Sequence, residues 1–403
     1  MKNKNLELLN QPLELPCGTV LKNRIIKSAM SDSLGDGRGN PTTAQADLYR
    51  RWANGGASAL IVGEVQCSSK FAEKPGNLVL QTDSEPEPFR ELAQKGAANG
   101  ACLWLQLGHA GALSHPPIST PKGPSAIDIP GLLCKALTIE EVQSLPAEFA
   151  RTARLAKSLG FSGVQIHAAH GFLLSQFLSP LFNKRTDEYG GSINARARIV
   201  IDVINEVREA VGKDFAVALK LNATDQLADG LQEDESLAVV SLLNKTSIDL
   251  IEISGGTYFP GAKSASDAAT PGPGSAPYFL DFAKNAKKHT DIPIMVTGGF
   301  KTLDHAIDAI SNGCTDCIGL ARALILNPDL PKHWLTNTAL NPEFPTFDSP
   351  PEGGVTAWYT MCITDLSQGN ENRDTANLEA TLKHYIDRDQ GRVATWNDRF
   401  AGE

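Results

Sequence analysis

The sequence has few cysteines and no long hydrophobic run. Its 403 residues include seven cysteines, too few and too scattered for a disulfide scaffold, which favours a reducing compartment. No apolar run approaches the length that crosses a bilayer, and the first residues lack the apolar core of a secretion signal. We therefore predict a cytoplasmic protein with no membrane partner.

An excess of positive charge is also missing. Lysine and arginine number 37 against 46 aspartates and glutamates, a net charge of −9, so no broad basic field would attract nucleic acid. No Gly-x-Gly-x-x-Gly motif opens a helix, which argues against a doubly wound dinucleotide-binding sheet. We predict a small-molecule substrate and no nucleic-acid partner, and the sequence leaves a homo-oligomer open.

The positive signal is the alternation of short apolar runs with helical patterns. Eight runs, each followed by a helix within about 300 residues, fit a single (β/α)8 TIM barrel of the α/β class better than two domains. We predict an N-terminal lead over the barrel floor, a barrel over residues 1–335, a C-terminal extension over 336–403 and long carboxyl-face loops at 113–130 and 255–276. The predicted strands are 25–30, 59–65, 102–107, 164–166, 215–221, 250–254, 293–297 and 317–320.

The predicted helices show recognisable ends. Thr138 and Glu141 form a capping-box pattern at the start of a helix, and Ser192 is placed to cap the next one. The predicted helices are 44–53, 87–98, 138–159, 193–211 and 378–388.

Two histidines stand where the fourth predicted strand ends. His167 and His170 follow the apolar run 164–166, and in β/α barrels the functional groups collect at the carboxyl ends of the strands. No carboxylate or cysteine set lies near them in sequence, so we predict no metal and favour a pair that binds an anion or a carbonyl oxygen. A structural role for either histidine alone remains the alternative.

Glycines and an arginine follow the last two strands. Gly298 and Gly299 follow strand seven, and Gly319, Ala321 and Arg322 lie at the end of strand eight. In barrels these two loops frequently bind a phosphate through backbone N–H groups, and an arginine adds a bidentate partner. The alternative is a tight turn beside a surface ion pair.

Two polar residues interrupt apolar strands. Lys220 lies in the run 215–222 and requires either an anionic partner or an electron-rich ligand edge, unless its ammonium group reaches solvent. Gln106 ends the third strand, so we expect its amide to point into the barrel mouth.

These segments resemble a known family. The segment 167–192 strongly resembles the Old Yellow Enzyme family of FMN-dependent oxidoreductases, also called the NADH:flavin oxidoreductase/NADH oxidase family. The resemblance extends over about residues 13–330. The further matching segments are 23–30, 48–53, 104–111, 123–126, 219–222, 252–256, 296–299 and 318–323.

The resemblance implies FMN across the barrel mouth and NADH or NADPH as reductant. For the flavin, it implies that the Ser31 hydroxyl lies near the C4 carbonyl, that Gln106 hydrogen-bonds the pyrimidine edge and that Lys220 lies by N1 and the C2 carbonyl. For the substrate, it implies that His167 and His170 hold the oxygen of an activating carbonyl or nitro group. The residues implied in cofactor binding are Ser28, Ala29, Met30, Ser31, Glu64, Gln106, His167, Lys220, Gly298, Gly299, Gly319, Ala321 and Arg322.

The implied activity is reduction of an electron-poor alkene by hydride transfer from flavin N5, with three departures from the family pattern. Phe172 stands where the family commonly has a tyrosine that donates a proton, and Glu64 stands where a small or amide residue is usual. The cysteine cluster and dinucleotide domain of the iron–sulfur relatives are not found, which predicts a single-cofactor enzyme. Phe172 keeps open a flavin-dependent double-bond isomerase or dehydrogenase, and an RNA-modifying flavin barrel is the remote alternative.

Overall fold

The computed structural model describes residues 2–259, 277–338, 340–347, 349–371 and 377–401. Eight parallel strands of this part form a closed barrel, because the last strand pairs with the first, which in turn pairs with the second. The predicted fold class is therefore confirmed. The barrel strands are β1 Ile25–Lys27, β2 Ala59–Gln66, β3 Cys102–Gly108, β4 Gly163–Ala168, β5 Ala216–Asn222, β6 Leu250–Ser254, β7 Ile294–Thr297 and β8 Cys317–Leu320.

The barrel strands are almost wholly buried, since helices pack on their outer face and side chains fill the interior. The helices of the described residues are α1 Lys2–Asn10, α2 Thr43–Asn54, α3 Pro86–Gly96, α4 Ile139–Ser158, α5 Leu173–Leu178, α6 Ile193–Arg196, α7 Arg198–Val211, α8 Glu233–Leu243, α9 Leu280–Ala286, α10 Leu303–Ser311, α11 Arg322–Leu326, α12 Leu330–Leu335, α13 Gly354–Ser367 and α14 Leu378–Arg399.

An N-terminal hairpin closes the barrel floor, as predicted. Its strands Leu13–Glu14 and Val20–Leu21 pair antiparallel. Leu15 and Leu21 are buried against a cluster inside the barrel that includes Trp104, Ala216 and Met295. Since apolar side chains fill the lower half, a ligand has room only at the carboxyl ends of the strands.

Most predicted elements lie within a few residues of the observed ones, and three differ. The strand predicted over 25–30 stops pairing at Lys27, after which residues 28–31 rise to the mouth. The helix predicted over 193–211 is interrupted at Ala197; beside the break, the buried Arg196 donates hydrogen bonds to the carbonyls of Leu178 and Gly191. The helix predicted to end at 388 continues to Arg399.

The two long loops have different outcomes. The predicted loop 113–130 carries short strands, Lys122–Gly123 and Ile127–Ile129, which both pair with Leu132–Ala136 in a small separate sheet. Most of the predicted loop 255–276 falls outside the described residues. The capping box is confirmed, because Thr138 Oγ1 accepts from the Glu141 amide and Glu141 Oε2 accepts from the Thr138 amide.

The segment after residue 335 packs on the barrel through two helices. Trp358 of α13 and Trp396 of α14 are buried, and α13 contacts both α2 and α11. The domain boundary at residue 335 stays a prediction. In the part of the chain that the structure describes, no helix is both long and apolar enough to cross a membrane.

Candidate active site

The two predicted histidines meet at the barrel mouth. His167 lies in β4 and is 3% exposed, and His170 follows the strand with a positive φ of 61°. Asn222 Oδ1 at the end of β5 accepts a hydrogen bond from the His170 amide (3.1 Å), and the His170 carbonyl accepts one from the Tyr258 amide (3.1 Å). These backbone contacts from two neighbouring strands hold His170 in its unusual conformation.

The imidazole rings form a hydrogen-bonded pair. His167 Nε2 lies 3.3 Å from His170 Nδ1, and His170 Nε2 lies 2.8 Å from Ser254 Oγ. Burial lowers the pKa of both histidines well below 6.5; the next causes are His170 and then Lys220 for His167, and Lys220 for His170. Both rings are therefore neutral at neutral pH, and a neutral imidazole donates an N–H to an oxygen without carrying a net charge.

Lys220 lies in a polar chain across the strands. It is 3% exposed, and its Nζ lies 3.0 Å from Glu252 Oε1. Glu252 also accepts hydrogen bonds from Gln165 Nε2 (2.6 Å) and Thr297 Oγ1 (2.7 Å), and Gln165 Oε1 accepts one from Gln106 Nε2 (2.8 Å). Burial alone would raise the pKa of Glu252, but Lys220 and these donors hold it below the usual value. The anionic partner that the sequence required for Lys220 is therefore Glu252.

The segment 28–31 is partly directed inward. The Ser28 hydroxyl bonds Thr297 Oγ1 at 2.7 Å inside the barrel, and Thr297 in turn bonds Glu252. Ala29 and Met30 follow in the same segment; both are only partly buried. Ser31 bridges to Gly63 through the backbone, and its hydroxyl donates to Glu73 Oε2 at 3.4 Å.

Glu64 is the unexpected carboxyl group in the mouth. It is 7% exposed, and burial, with the charge of Glu73 next, raises its pKa well above 4.5. The side chain therefore holds a proton more firmly than an ordinary carboxyl group. The raised pKa favours the neutral form of Glu64 at the position where the family usually has a small or amide residue.

The predicted phosphate residues meet at the opposite side of the mouth. Gly298 and Gly299 have φ values of 117° and 84°, which only glycine adopts without strain. Ala321 directly precedes α11, and the Arg322 guanidinium carbon lies 5.1 Å from the centre of the Tyr359 ring. A cation–π contact of this kind holds the guanidinium beside the Tyr359 ring.

Gly319 occupies a different environment from these residues. It lies within β8, and a Cβ there would fall 1.9 Å from Thr297 Oγ1 and 2.3 Å from Ser28 Oγ. The glycine is therefore required for packing inside the barrel wall, and its predicted cofactor contact stays a prediction. Trp358 and Tyr359 are both buried, and of the two the ring of Tyr359 contacts Arg322.

Several mouth residues escaped the sequence analysis. Glu252 and Gln165 are polar residues within apolar strands, so the reasoning that selected Lys220 would also have found them. Glu73 and Tyr258 lie in loops, where polar residues are common and carry no such signal. Their place in the site follows only from the fold.

The mouth has the chemistry to hold a flavin mononucleotide. His167 Nδ1 and Glu64 Oε2 are buried without a hydrogen-bond partner among the described residues, which is expected where a ligand completes the site. Gln106 and Lys220 offer hydrogen-bond donors beside them, and the glycine turns with Arg322 offer donors for a phosphate. The described residues contain no group of three or more His, Cys, Asp or Glu side chains arranged for a metal ion.

The comparisons with known proteins agree with this chemistry. The family described as NADH:flavin oxidoreductase / NADH oxidase matches residues 9–341. An NADH-dependent flavin oxidoreductase, iliE, of Hypocrea jecorina is 33% identical over 90% of this chain and 97% of its own length. Its counterpart in a Neonectria species is 35% identical over 87% of this chain, which spans 49% of that protein.

Solved structures show the same architecture. A 2-naphthoyl-CoA reductase complex matches with a TM-score of 0.76 and 27% identity, and the match covers 82% of this chain and 52% of the reductase chain. The old yellow enzyme homologue from Zymomonas mobilis has a TM-score of 0.72 and 24% identity, covering 87% and 98%, and supports the fold alone. The predicted FMN and nicotinamide reductant are confirmed by the family match. The chain therefore belongs to the NADH:flavin oxidoreductase/NADH oxidase family.

Proposed function

We propose that this enzyme uses NADH, or NADPH, to reduce the carbon–carbon double bond of an α,β-unsaturated carbonyl compound or a similar electron-poor alkene. The neutral pair of His167 and His170 carries the proposal, because its rings face the mouth with one nitrogen, His167 Nδ1, lacking a partner among the described residues. An imidazole N–H is suited to a carbonyl oxygen. The relatives named NADH-dependent favour NADH.

FMN, when bound, supplies the hydride that the nicotinamide has delivered. Gln106 and Lys220 would hold its pyrimidine edge, and Gly298, Gly299 and Arg322 its phosphate. His167 donates from Nδ1 to the carbonyl oxygen of the substrate, and His170, whose ring nitrogens contact His167 and Ser254, orients and polarises the His167 ring. The donated hydrogen bond strengthens as negative charge develops on that oxygen. Withdrawing electrons in this way makes the β-carbon the electrophilic end of the alkene.

Net consumption of reductant tests this proposal. Purified protein with FMN is incubated anaerobically with NADH and 2-cyclohexen-1-one, and we expect one NADH consumed for each cyclohexanone formed. An isomerase would convert a suitable alkene without net NADH consumption, so the same balance measures the alternative. An enzyme that oxidises NADH but leaves every enone and nitroalkene unchanged would contradict the proposal.

Histidine variants localise the activity. We expect His167→Ala and His170→Ala to bind FMN and accept electrons from NADH, but to lose at least about tenfold in kcat/KM for the enone, because each removes an imidazole of the pair that stabilises the developing charge. His289→Ala is the matched control, since His289 is exposed between α9 and the amino end of β7, at the opposite end of the barrel.

A further inference from the structure

Reduction of an activated alkene needs a proton as well as a hydride. The following inference rests on the proposed alkene reduction. Phe172 is buried, and the centre of its ring lies 4.8 Å from that of His167. Phenylalanine has no ionisable proton, so the position that contacts the acceptor-binding histidine cannot protonate the α-carbon. Another acid, or water, must therefore supply the proton in the same space.

Tyr258 borders that space from a different strand. Its ring centre lies 5.9 Å from that of His170 and 6.0 Å from that of Phe172. The tyrosine follows β6, and its amide donates to the His170 carbonyl while Thr257 bridges to His170. The backbone that carries Tyr258 is therefore fixed to the backbone that carries the histidine.

The Tyr258 side chain also has the exposure that a proton donor needs. It is 50% exposed, in a chain whose other mouth residues are mostly buried. No described residue hydrogen-bonds its hydroxyl, so that the group remains available to a substrate and to water. A structural tyrosine of the core would instead be buried with its hydroxyl bonded, as Tyr49 is to Asp32 at 3.1 Å.

We propose that Tyr258 donates to the substrate α-carbon the proton that Phe172 cannot supply. The β-carbon accepts hydride, the π electrons of the double bond move towards the carbonyl, and His167 and His170 stabilise the enolate oxygen. A C–H bond then forms at the α-carbon as the O–H bond of Tyr258 breaks, and water returns a proton to the tyrosinate. The alkene is reduced by two electrons, which NADH provides.

Although half of the Tyr258 surface is exposed, desolvation and then the neighbouring charges keep the donor protonated. Desolvation, followed by the negative charge of Glu73 and Glu64, raises the pKa of Tyr258 to about 12, against smaller opposing effects of Arg322 and Lys74. The hydroxyl thus carries its proton at neutral pH, as a general acid must. Glu64 is the competing donor in the mouth, because its own pKa is raised.

Two half-reactions separate proton donation from electron transfer. In holoenzyme reduced with NADH, we expect Tyr258→Phe to slow reduction of 2-cyclohexen-1-one about 100-fold, a typical contribution of general acid catalysis. Reduction of the flavin by NADH, and its reoxidation by ferricyanide, should stay within twofold, since neither protonates a carbon. Tyr189→Phe is the matched control, because this tyrosine is buried against Asp202 outside the mouth.

A second variant tests the geometry. Adding Phe172→Tyr to Tyr258→Phe should restore at least a third of the wild-type rate. The two rings contact each other, so the new hydroxyl at position 172 would border the same substrate space as the hydroxyl lost from Tyr258. Because Glu64 lies at the flavin position, Glu64→Gln is measured in both half-reactions, and we expect enone reduction and ferricyanide reoxidation to change by the same factor. A loss in Glu64→Gln that is confined to enone reduction, with none in Tyr258→Phe, would assign the proton to the carboxyl group and overturn the proposal.

A binding measurement is independent of turnover. The oxidised holoenzyme is labelled with 3-fluorotyrosine at its six tyrosines. The 19F signal of Tyr258 is assigned as the one that is missing from the spectrum of Tyr258→Phe, and this signal should shift when cyclohexanone is added. An unmoved signal would contradict contact with the ligand. If wild-type enzyme reduces no enone, the proposed function fails; if it does so and Tyr258→Phe is equally fast, only the role of Tyr258 is wrong.

Discussion

The ion pair of Lys220 and Glu252 gives the strongest quantitative prediction of the structure. Both side chains are almost wholly buried, and their charged atoms lie 3.0 Å apart. At an effective dielectric constant of about 20 this separation corresponds to an attraction of roughly 5.5 kcal/mol. Replacing Glu252 by glutamine keeps the shape but leaves the ammonium group of Lys220 without a counter-charge, which typically destabilises a protein by about 3–5 kcal/mol.

Urea unfolding of FMN-free protein measures this cost, since FMN affinity would otherwise contribute to the free energy of unfolding. We expect Glu252→Gln to lower the free energy of unfolding by about 3–5 kcal/mol. The double variant Lys220→Met, Glu252→Gln should recover most of that loss. Asp387→Asn is the matched control: its pair with Lys383 is exposed on α14, and its loss should cost below about 0.5 kcal/mol.

The sign of the pH dependence follows from the direction of the shift. The folded protein lowers the pKa of Glu252, so the stability contributed by its charge is present above the ordinary value of 4.5 and is lost as the pH falls through the lowered value. The gap between wild type and Glu252→Gln should therefore narrow in acid. A loss under about 1 kcal/mol at pH 7, or a double variant as unstable as the sum of the single variants, would refute the reasoning.

Three further predictions concern the mouth. Gly299→Ala should weaken FMN binding at least about tenfold, because its Cβ would lie 2.8 Å from a backbone atom. Gly313 shares the positive φ but has no close neighbours, so Gly313→Ala should keep FMN affinity within twofold. Both variants should lose about 1–2 kcal/mol of stability. The rings of His167 and His170 should show no NMR titration near pH 6.5, and a titration step at 6.5 would contradict neutral rings. Below that pH the free energy of unfolding that they contribute should fall, because the histidines of the unfolded chain bind protons. Tyr359→Leu removes a cation–π contact worth about 0.5–2 kcal/mol, so fluorescence titration should show FMN bound about 2–30-fold more weakly. An unchanged dissociation constant would show that the ring does not position the guanidinium for the cofactor.

The barrel could be predicted from the sequence because its strands are buried on both faces. Such strands appear as continuous apolar runs between turn residues, and their order along the chain fixes the order of a parallel barrel. Interruptions of helices depend on tertiary contacts, and the sequence analysis missed them. The break at Ala197 lies beside Arg196, whose guanidinium bonds backbone carbonyls that only the folded chain brings near.

The site was predictable where a residue type conflicts with its surroundings. Lys220 in an apolar strand requires a partner whatever the fold, and His167 at a strand end lies at the functional face of any β/α barrel. The identity of the partner depends on register, which sequence periodicity does not determine. In the structure Lys220 lies opposite His167 on one side and Glu252 on the other.

This register has a chemical consequence for the whole mouth. Gln106 pairs with Gln165 across β3 and β4, and Lys220 with Glu252 across β5 and β6, so the polar residues form a level above the apolar floor. Because Glu252 neutralises Lys220, the protein offers the flavin position a directed dipole with hydrogen-bond donors instead of an isolated cation. The neutral histidines follow the same pattern, and the raised pKa of Glu64 favours its neutral form, since a largely buried site keeps few uncompensated charges. In the alkene reduction that we propose, oriented N–H groups would stabilise the developing charge, and the acid would be the Tyr258 hydroxyl.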